Sequence, residues 1–118
     1  MKIIYKNKKI QDQCINLKTA VKKYGSIVGK RLIDLIVLLE EAVNLLDVYS
    51  LPQYRLHALK GDRINQYSIV IYYSSKHRLI IYPLDKAGNI LKSMENEKEL
   101  FINSVMIEVL EVSEHYEK

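Results

Sequence analysis

The sequence predicts an α+β protein in which two N-terminal helices pack on a small, mainly antiparallel β-sheet. Two observations carry this prediction. Apolar residues recur at helical spacing through the first 43 residues, and β-branched and aromatic residues then form short runs separated by tight polar turns. We expect one domain over residues 1–118, because a chain of this length buries a modest core without disulfide staples.

The N-terminal half begins with a predicted strand at Lys2–Tyr5, after which Asn7 is a candidate helix cap. Apolar residues at steps of three and four then predict one amphipathic helix that ends at Gly25. These residues are Ile10, Cys14, Leu17, Val21 and Tyr24. A second amphipathic helix is predicted over Ile27–Val43, and Asn44–Ser50 is consistent with one more helical turn.

The central stretch predicts an antiparallel meander of three strands. The strands are Tyr54–Leu59, Gln66–Tyr73 and His77–Tyr82. Gly61 allows the first turn, and Pro83 is predicted to end the third strand because it cannot donate a ladder hydrogen bond.

The C-terminal part carries a polar segment and a last strand. Asp85–Asn103 contains a predicted turn at Lys86–Asn89 and an acidic stretch at Met94–Glu99, which we interpret as a loop or a single helical turn. Ser104–Val112 alternates apolar and polar residues and predicts the final strand.

Charge is unevenly distributed along the chain. Residues 1–31 carry a net charge of +8 and residues 51–86 a net +4, whereas residues 32–50 and 87–118 carry −4 each. The basic zones are suited to a polyanion such as RNA, although solvated helix faces often look the same. The single cysteine, Cys14, excludes an internal disulfide and is expected in the core. No apolar run reaches membrane-span length, so we expect a cytoplasmic protein without membrane contact.

Polar side chains within the predicted strands point to chemistry on a phosphate. Arg55 and His57 lie two residues apart and therefore share one face of a strand. Lys60, Arg63 and Arg78 lie on or beside the same strands. Cations hold a phosphate and an imidazole moves a proton, although solvated surface cations and an ordinary strand histidine would give the same pattern.

Three segments of this stretch resemble the signature of HigB-type toxins in the RelE/ParE superfamily of bacterial toxin–antitoxin systems. They are Tyr54–Arg63 (YRLHALKGDR), Gln66–Ile69 (QYSI) and His77–Ile81 (HRLII). The resemblance covers roughly half the chain closely, and the preceding helices fit in type and order. It implies a RelE/ParE-like fold, from which the polar segment Asp85–Asn103 departs.

The resemblance also implies a metal-free endoribonuclease that cleaves messenger RNA on the ribosome. It places an acid, an imidazole and a phenol at the end of the chain, next to the sheet histidine, and here the two ring residues stand in swapped order. The implied catalytic residues are His57, Glu114, His115, Tyr116 and Arg78, and the implied substrate-binding residues are Lys60, Arg63 and Arg55.

The implied partners are a HigA-type antitoxin with a helix-turn-helix domain, messenger RNA on the ribosome and, through the antitoxin, operator DNA. Two alternatives remain, a ParE-like inhibitor of DNA gyrase and a non-catalytic nucleic-acid-binding domain of the same fold. We expect no cofactor and no metal, because the three histidines are scattered and lack metal-ligand spacing. His77, beside a turn, is expected to face solvent.

Overall fold

The computed structural model describes residues 1–114, in which five helices and a five-stranded sheet confirm the predicted α+β class. The helices are α1 (Lys8–Ile15), α2 (Leu17–Tyr24), α3 (Ser26–Glu41), α4 (Leu45–Tyr49) and α5 (Glu97–Asn103). The strands are β1 (Lys2–Tyr5), β2 (His57–Ala58), β3 (Tyr67–Val70), β4 (Arg78–Leu84) and β5 (Met106–Ser113). No helix in this part of the chain is long and apolar enough to cross a membrane.

The sheet has the order β1-β5-β4-β3-β2 and is mainly antiparallel, as predicted. Only β1 and β5 run parallel. The prediction that Pro83 ends its strand is wrong, because β4 continues to Leu84. The Pro83 carbonyl accepts a hydrogen bond from the Leu91 amide at 2.9 Å, on the side away from β5. Its nitrogen faces the same side, where β3 has already ended, so the ring removes no ladder hydrogen bond.

The predicted first helix is in fact two helices, because Asn16 interrupts it. Asn16 has extended backbone angles, and its side-chain oxygen accepts a hydrogen bond from the Thr19 amide at 3.1 Å. A capped new helix therefore begins although the apolar spacing continues across the break. Three helices, not two, precede α4. The predicted cap at Asn7 is confirmed, since its side-chain oxygen accepts from the Ile10 amide at 2.9 Å.

Helices α2 and α3 approach each other closely at Gly29. A Cβ atom at this position would lie 2.7 Å from the Val21 nitrogen, so a larger residue would push the two helices apart. The apolar side of α3 is buried, as its spacing predicts, and Cys14 of α1 is fully buried, which confirms its expected place in the core.

The segment Asp85–Asn103 contributes to the core, so its interpretation as a loop is only partly correct. The predicted turn is confirmed, because the Asp85 side chain accepts hydrogen bonds from the Ala87 and Asn89 amides at 2.9 Å. Beyond it, α5 buries Leu100 and Phe101 completely. The Phe101 ring meets the ring of Tyr67 edge to face at a centroid distance of 5.6 Å, which anchors α5 to the sheet.

The two faces of the sheet differ in what they carry. The face packed against the helices is apolar, and its members include Tyr67, Ile69, Leu79, Ile81, Ile107 and Val109. We call the opposite side the second face. It is defined by two cross-strand rows, His57, Ser68, Ile80 and Glu111 in one, and Val70, Arg78 and Ser113 in the other.

A β-bulge places two of these polar residues on the second face. Ile80 pairs with Glu111 and Ile81 with Val109, so β5 contains one extra residue between them. The extra residue shifts the alternation by one, because neighbouring strand residues face opposite sides. Val112 consequently faces the core, and Glu111 and Ser113 face the second face.

Candidate functional site

His57 is held in a single tautomer by its neighbouring backbone. Its Nδ1 atom lies 2.7 Å from the Arg55 carbonyl oxygen, which can only accept a hydrogen bond. Nδ1 must therefore carry the proton, and in the neutral ring Nε2 keeps a free lone pair. The carbonyl is presented by Arg55 in the left-handed region, at φ 46°, which is uncommon for a residue with a side chain.

Two polar atoms on the second face are buried without a hydrogen-bond partner within residues 1–114. They are His57 Nε2 and Ser68 Oγ, and their residues pair directly across β2 and β3. Side chains paired in this way have Cβ atoms about 4.5–5.5 Å apart. Leaving such a group unsatisfied costs about 1–3 kcal/mol, so a ligand group that bonds both atoms would relieve two penalties at once.

Arg63 approaches this row from the 3-10 turn Gly61–Arg63. Its guanidinium lies 3.3 Å from a Glu111 carboxylate oxygen and 3.4 Å from the Gln66 side-chain oxygen. Glu111 belongs to the same cross-strand row as His57. Both partners of the ion pair are partly exposed to solvent, with side-chain exposures of 36% for Arg63 and 47% for Glu111. Arg63 is therefore accessible to an anion beside the His57 row.

Arg78 lies on the second face but is buried, with 5% of its surface exposed. Its guanidinium Nη1 donates hydrogen bonds to the carbonyl oxygens of Ser75 and His77, both at 2.9 Å. These bonds tie the side chain to the turn between β3 and β4. Arg78 thus supplies a fixed positive charge on the second face.

Lys60 and Arg55 flank β2 at its two ends, and both are exposed. Each is therefore free to move toward a polyanion. Arg63 contacts Glu111 of the His57 row, and Arg78 lies in the other row of the second face.

Glu114 is not beside His57. Its carboxylate lies 3.6 Å from Nε2 of His77, a residue at the start of β4. The His77 ring also meets Tyr24 edge to face at 5.6 Å, and its side chain is only 18% exposed. The expectation that His77 faces solvent is therefore wrong. This cluster lies where β4 begins and β5 ends, on the side of α2, whereas His57 lies on the second face.

Burial affects the titration of the cluster around Tyr24. The Tyr24 hydroxyl donates a hydrogen bond to the Gln13 side-chain oxygen at 2.7 Å. Burial, with smaller contributions from Cys14 and Glu114, raises the pKa of Tyr24 to about 12. Burial also raises the pKa of the Cys14 thiol to about 12. Both groups therefore stay protonated in the folded chain at neutral pH.

Two of the predicted catalytic residues, His115 and Tyr116, lie outside the described residues. Within residues 1–114, no three His, Cys, Asp or Glu side chains lie together as a metal-binding group would require.

Ser68, Gln66 and Glu111 belong to this site, and the sequence reasoning did not select them. Ser68 carries a small hydroxyl side chain in a strand whose residues are all buried, which is a detectable signal once β2 and β3 are paired. The Gln66 side chain donates to the Tyr82 hydroxyl at 3.3 Å and links Arg63 to β4. Glu111 had no detectable signal, because only the bulge turns it toward Arg63.

Similarity to known proteins is found among solved structures. No protein-family model matches the chain, and no curated protein matches it. Among solved structures, the chain is similar to a YoeB/ParE toxin from Agrobacterium tumefaciens, with 17% sequence identity and a TM-score of 0.49. The similarity covers 98% of this chain and 100% of the other. A likeness at this level carries no inference about function.

Proposed function

We propose that this protein is the toxin of a toxin–antitoxin system and a metal-independent endoribonuclease that cleaves messenger RNA on the ribosome. The observation that carries the proposal is the pair of unsatisfied atoms His57 Nε2 and Ser68 Oγ, buried on paired residues of β2 and β3, with Arg63 against Glu111 of the same row. The HigB-type signature from Tyr54 to Ile81 supports the same function and implies a HigA-type antitoxin as the neutralising partner.

A ribose 2′-hydroxyl is chemically complementary to the two unsatisfied atoms, because it can donate one hydrogen bond and accept another. It would donate its proton to His57 Nε2 and accept a hydrogen bond from the Ser68 hydroxyl. His57 is then the general base. The 2′-oxygen forms a bond to the adjacent phosphorus as the bond from phosphorus to the 5′-oxygen breaks, which leaves a 2′,3′-cyclic phosphate and a 5′-hydroxyl.

Cations stabilise the charge that develops on the phosphate in this step. Arg63 and Lys60 are accessible and would bind the reacting phosphate. Arg55 would bind the neighbouring RNA backbone, and the buried guanidinium of Arg78 contributes a fixed positive charge. The departing 5′-oxygen needs a proton, which we assign to His115 or Tyr116. Glu114 precedes both in the chain and would orient the donor, and its contact with His77 would position the end of β5.

Induced expression in a bacterial host tests the proposal. The unmodified chain should arrest growth and create new messenger RNA 5′ ends that primer extension detects. His57→Asn should abolish both, because the amide can still donate to the Arg55 carbonyl but cannot act as a base. Ile64→Ala, at a position 64% exposed in the connection between β2 and β3, is the matched control and should retain both.

Two outcomes would contradict the proposal. Cleavage that persists in His57→Asn would remove His57 from the reaction. Growth arrest without messenger RNA cleavage would favour a ParE-like inhibitor of DNA gyrase. Loss of arrest on co-expression of a HigA-type antitoxin would support the proposed partner, and binding of the resulting complex to its operator DNA would extend the proposal.

A further inference from the structure

A cleft lies at the end of the sheet, where β3 leads into the turn before β4. It has a volume of about 260 Å³ and lies between α3, the 3-10 turn Pro52–Tyr54 and the residues that follow β3. Pockets for drug-sized ligands usually start at about 300 Å³, so this cleft is suited to one small flat group. Its floor includes Val70, which lies two residues beyond Ser68 in β3.

Aromatic side chains form one wall of the cleft. The rings of Tyr72 and Tyr73 have centroids 4.9 Å apart at an interplanar angle of 55°, and Arg31 lies over the Tyr72 ring at 5.3 Å from its centroid. Tyr73 is 81% exposed, although large aromatic side chains usually bury most of their surface. An exposed ring beside a cation offers a stacking surface for another flat ring.

Polar groups in the cleft are suited to the edge of a nucleobase. Asp34 and Gln53 line it, so the cleft offers a carboxylate acceptor and an amide that both donates and accepts. Hydrogen bonds with Ser74 and Tyr73, together with the charge of Arg31, lower the pKa of Tyr72 from its ordinary value. The hydrogen bond with Tyr73 joins the two tyrosine side chains. Arg31 lines the cleft and is exposed, and its positive charge favours a negatively charged backbone.

We propose that this cleft holds one unpaired base of a single-stranded RNA bound by this protein. The inference rests on the proposed function and adds a substrate-binding subsite to it. Tyr73 stacks on the base, and Asp34 accepts a hydrogen bond from an amino group on its edge. Recognition of unpaired bases by aromatic stacking and edge contacts is the usual mode for single-stranded RNA.

Binding of short labelled RNA by the full chain tests the subsite. The probe is a fluorescein-labelled pentanucleotide of adenine with 2′-fluoro sugars, which lacks the attacking hydroxyl and cannot be cleaved. Fluorescence anisotropy at low salt gives the dissociation constant. Tyr73→Leu should weaken binding about 5- to 150-fold, because it removes one stacked base, whereas Tyr73→Phe keeps the ring and should leave the affinity unchanged.

The same titrations separate the subsite from the proposed function. Since Tyr73 is exposed, both variants should unfold at the temperature of the unmodified chain, so a difference in affinity would reflect the lost ring. Equal affinities for Tyr73→Leu and the unmodified chain would overturn the subsite, as would no binding of the probe at all. Neither result would affect the proposed nuclease, which is judged by messenger RNA cleavage and by His57→Asn.

Discussion

The two faces of the sheet are built by the same strands, but they have different chemistry. On the helix-packed face, Tyr67, Ile69 and Leu79 are at most 1% exposed and meet other apolar groups. On the second face, Ser68 and Arg78 are at most 5% exposed, and the Ser68 hydroxyl finds no partner within residues 1–114. Burial that stabilises the first face is therefore costly on the second.

This difference indicates what each face is for. A fold that only needed stability would place apolar residues at His57 and Ser68, because an unsatisfied buried polar atom lowers stability. Unsatisfied groups of this kind in native proteins often mark catalytic or binding sites. We therefore assign stability to the helix-packed face and chemistry to the second face.

Truncation on the helix-packed face should have the largest effect on stability. Leu79→Ala deletes a fully buried side chain between β4 and the helices, and we expect a loss of about 2–5 kcal/mol in the free energy of unfolding. Urea denaturation measures this loss. Messenger RNA cleavage per folded molecule should be unchanged, and a loss below about 1 kcal/mol would contradict the division between the faces.

Alkaline pH should destabilise the helix-packed side next most strongly. The pKa of Cys14 rises from 9.0 to about 12, and that of Tyr24 from 10.0 to about 12. Above pH 9 the unfolded chain loses protons that the folded chain retains, so stability is complete below pH 9 and falls as pH rises to 12. The slope approaches about 1.4 kcal/mol per pH unit for each group.

A comparison with Cys14→Ala isolates the thiol. This variant should show a shallower decline in the free energy of unfolding between pH 9 and pH 11, as measured by urea denaturation at each pH. Identical slopes for the two proteins would show that the thiol does not titrate as its burial requires.

Removal of the unsatisfied hydroxyl should have a smaller effect on stability, of the opposite sign. Ser68→Ala should leave the free energy of unfolding unchanged or raise it by about 1 kcal/mol, because no hydrogen bond within residues 1–114 is lost. Cleavage should fall, since the 2′-hydroxyl loses a donor. A loss of more than 1 kcal/mol in urea denaturation would mean that Ser68 has a structural role.

The smallest effect on stability is expected at the ion pair between Arg63 and Glu111. The pair is partly exposed, so Glu111→Gln should change stability by less than about 1 kcal/mol. The same change removes a negative charge beside Arg63 and should tighten binding of the 2′-fluoro pentanucleotide in the anisotropy assay. Weaker binding would show that Glu111 contacts the RNA favourably.

Local patterns in the sequence predicted the helix-packed face well. The spacing of apolar residues located α3, and the alternation in Ser104–Val112 located β5. Tertiary contacts decided what the patterns missed. Asn16 interrupts a continuous apolar stripe by capping a new helix, and α5 forms in an acidic segment because Leu100 and Phe101 reach the core.

The second face was harder to predict from sequence. The prediction that Arg55 shares a strand face with His57 is wrong, because β2 spans His57–Ala58 and Arg55 precedes it in the left-handed region at φ 46°. The bulge after Ile80, which turns Glu111 toward Arg63, left no local signal. Glu114 was expected beside His57, yet it contacts His77, because neighbouring positions at the end of a strand face opposite sides of the sheet.

The cleavage rate of His57→Asn, measured with its free energy of unfolding, tests the central claim most directly. Purified chain is mixed with ribosomes carrying a defined messenger RNA under single-turnover conditions. We predict a rate about 10²–10⁴-fold below that of the unmodified chain, with stability changed by less than about 1 kcal/mol. An unchanged rate, or a fall in rate that matches a fall in the folded fraction, would contradict the assignment of chemistry to the second face.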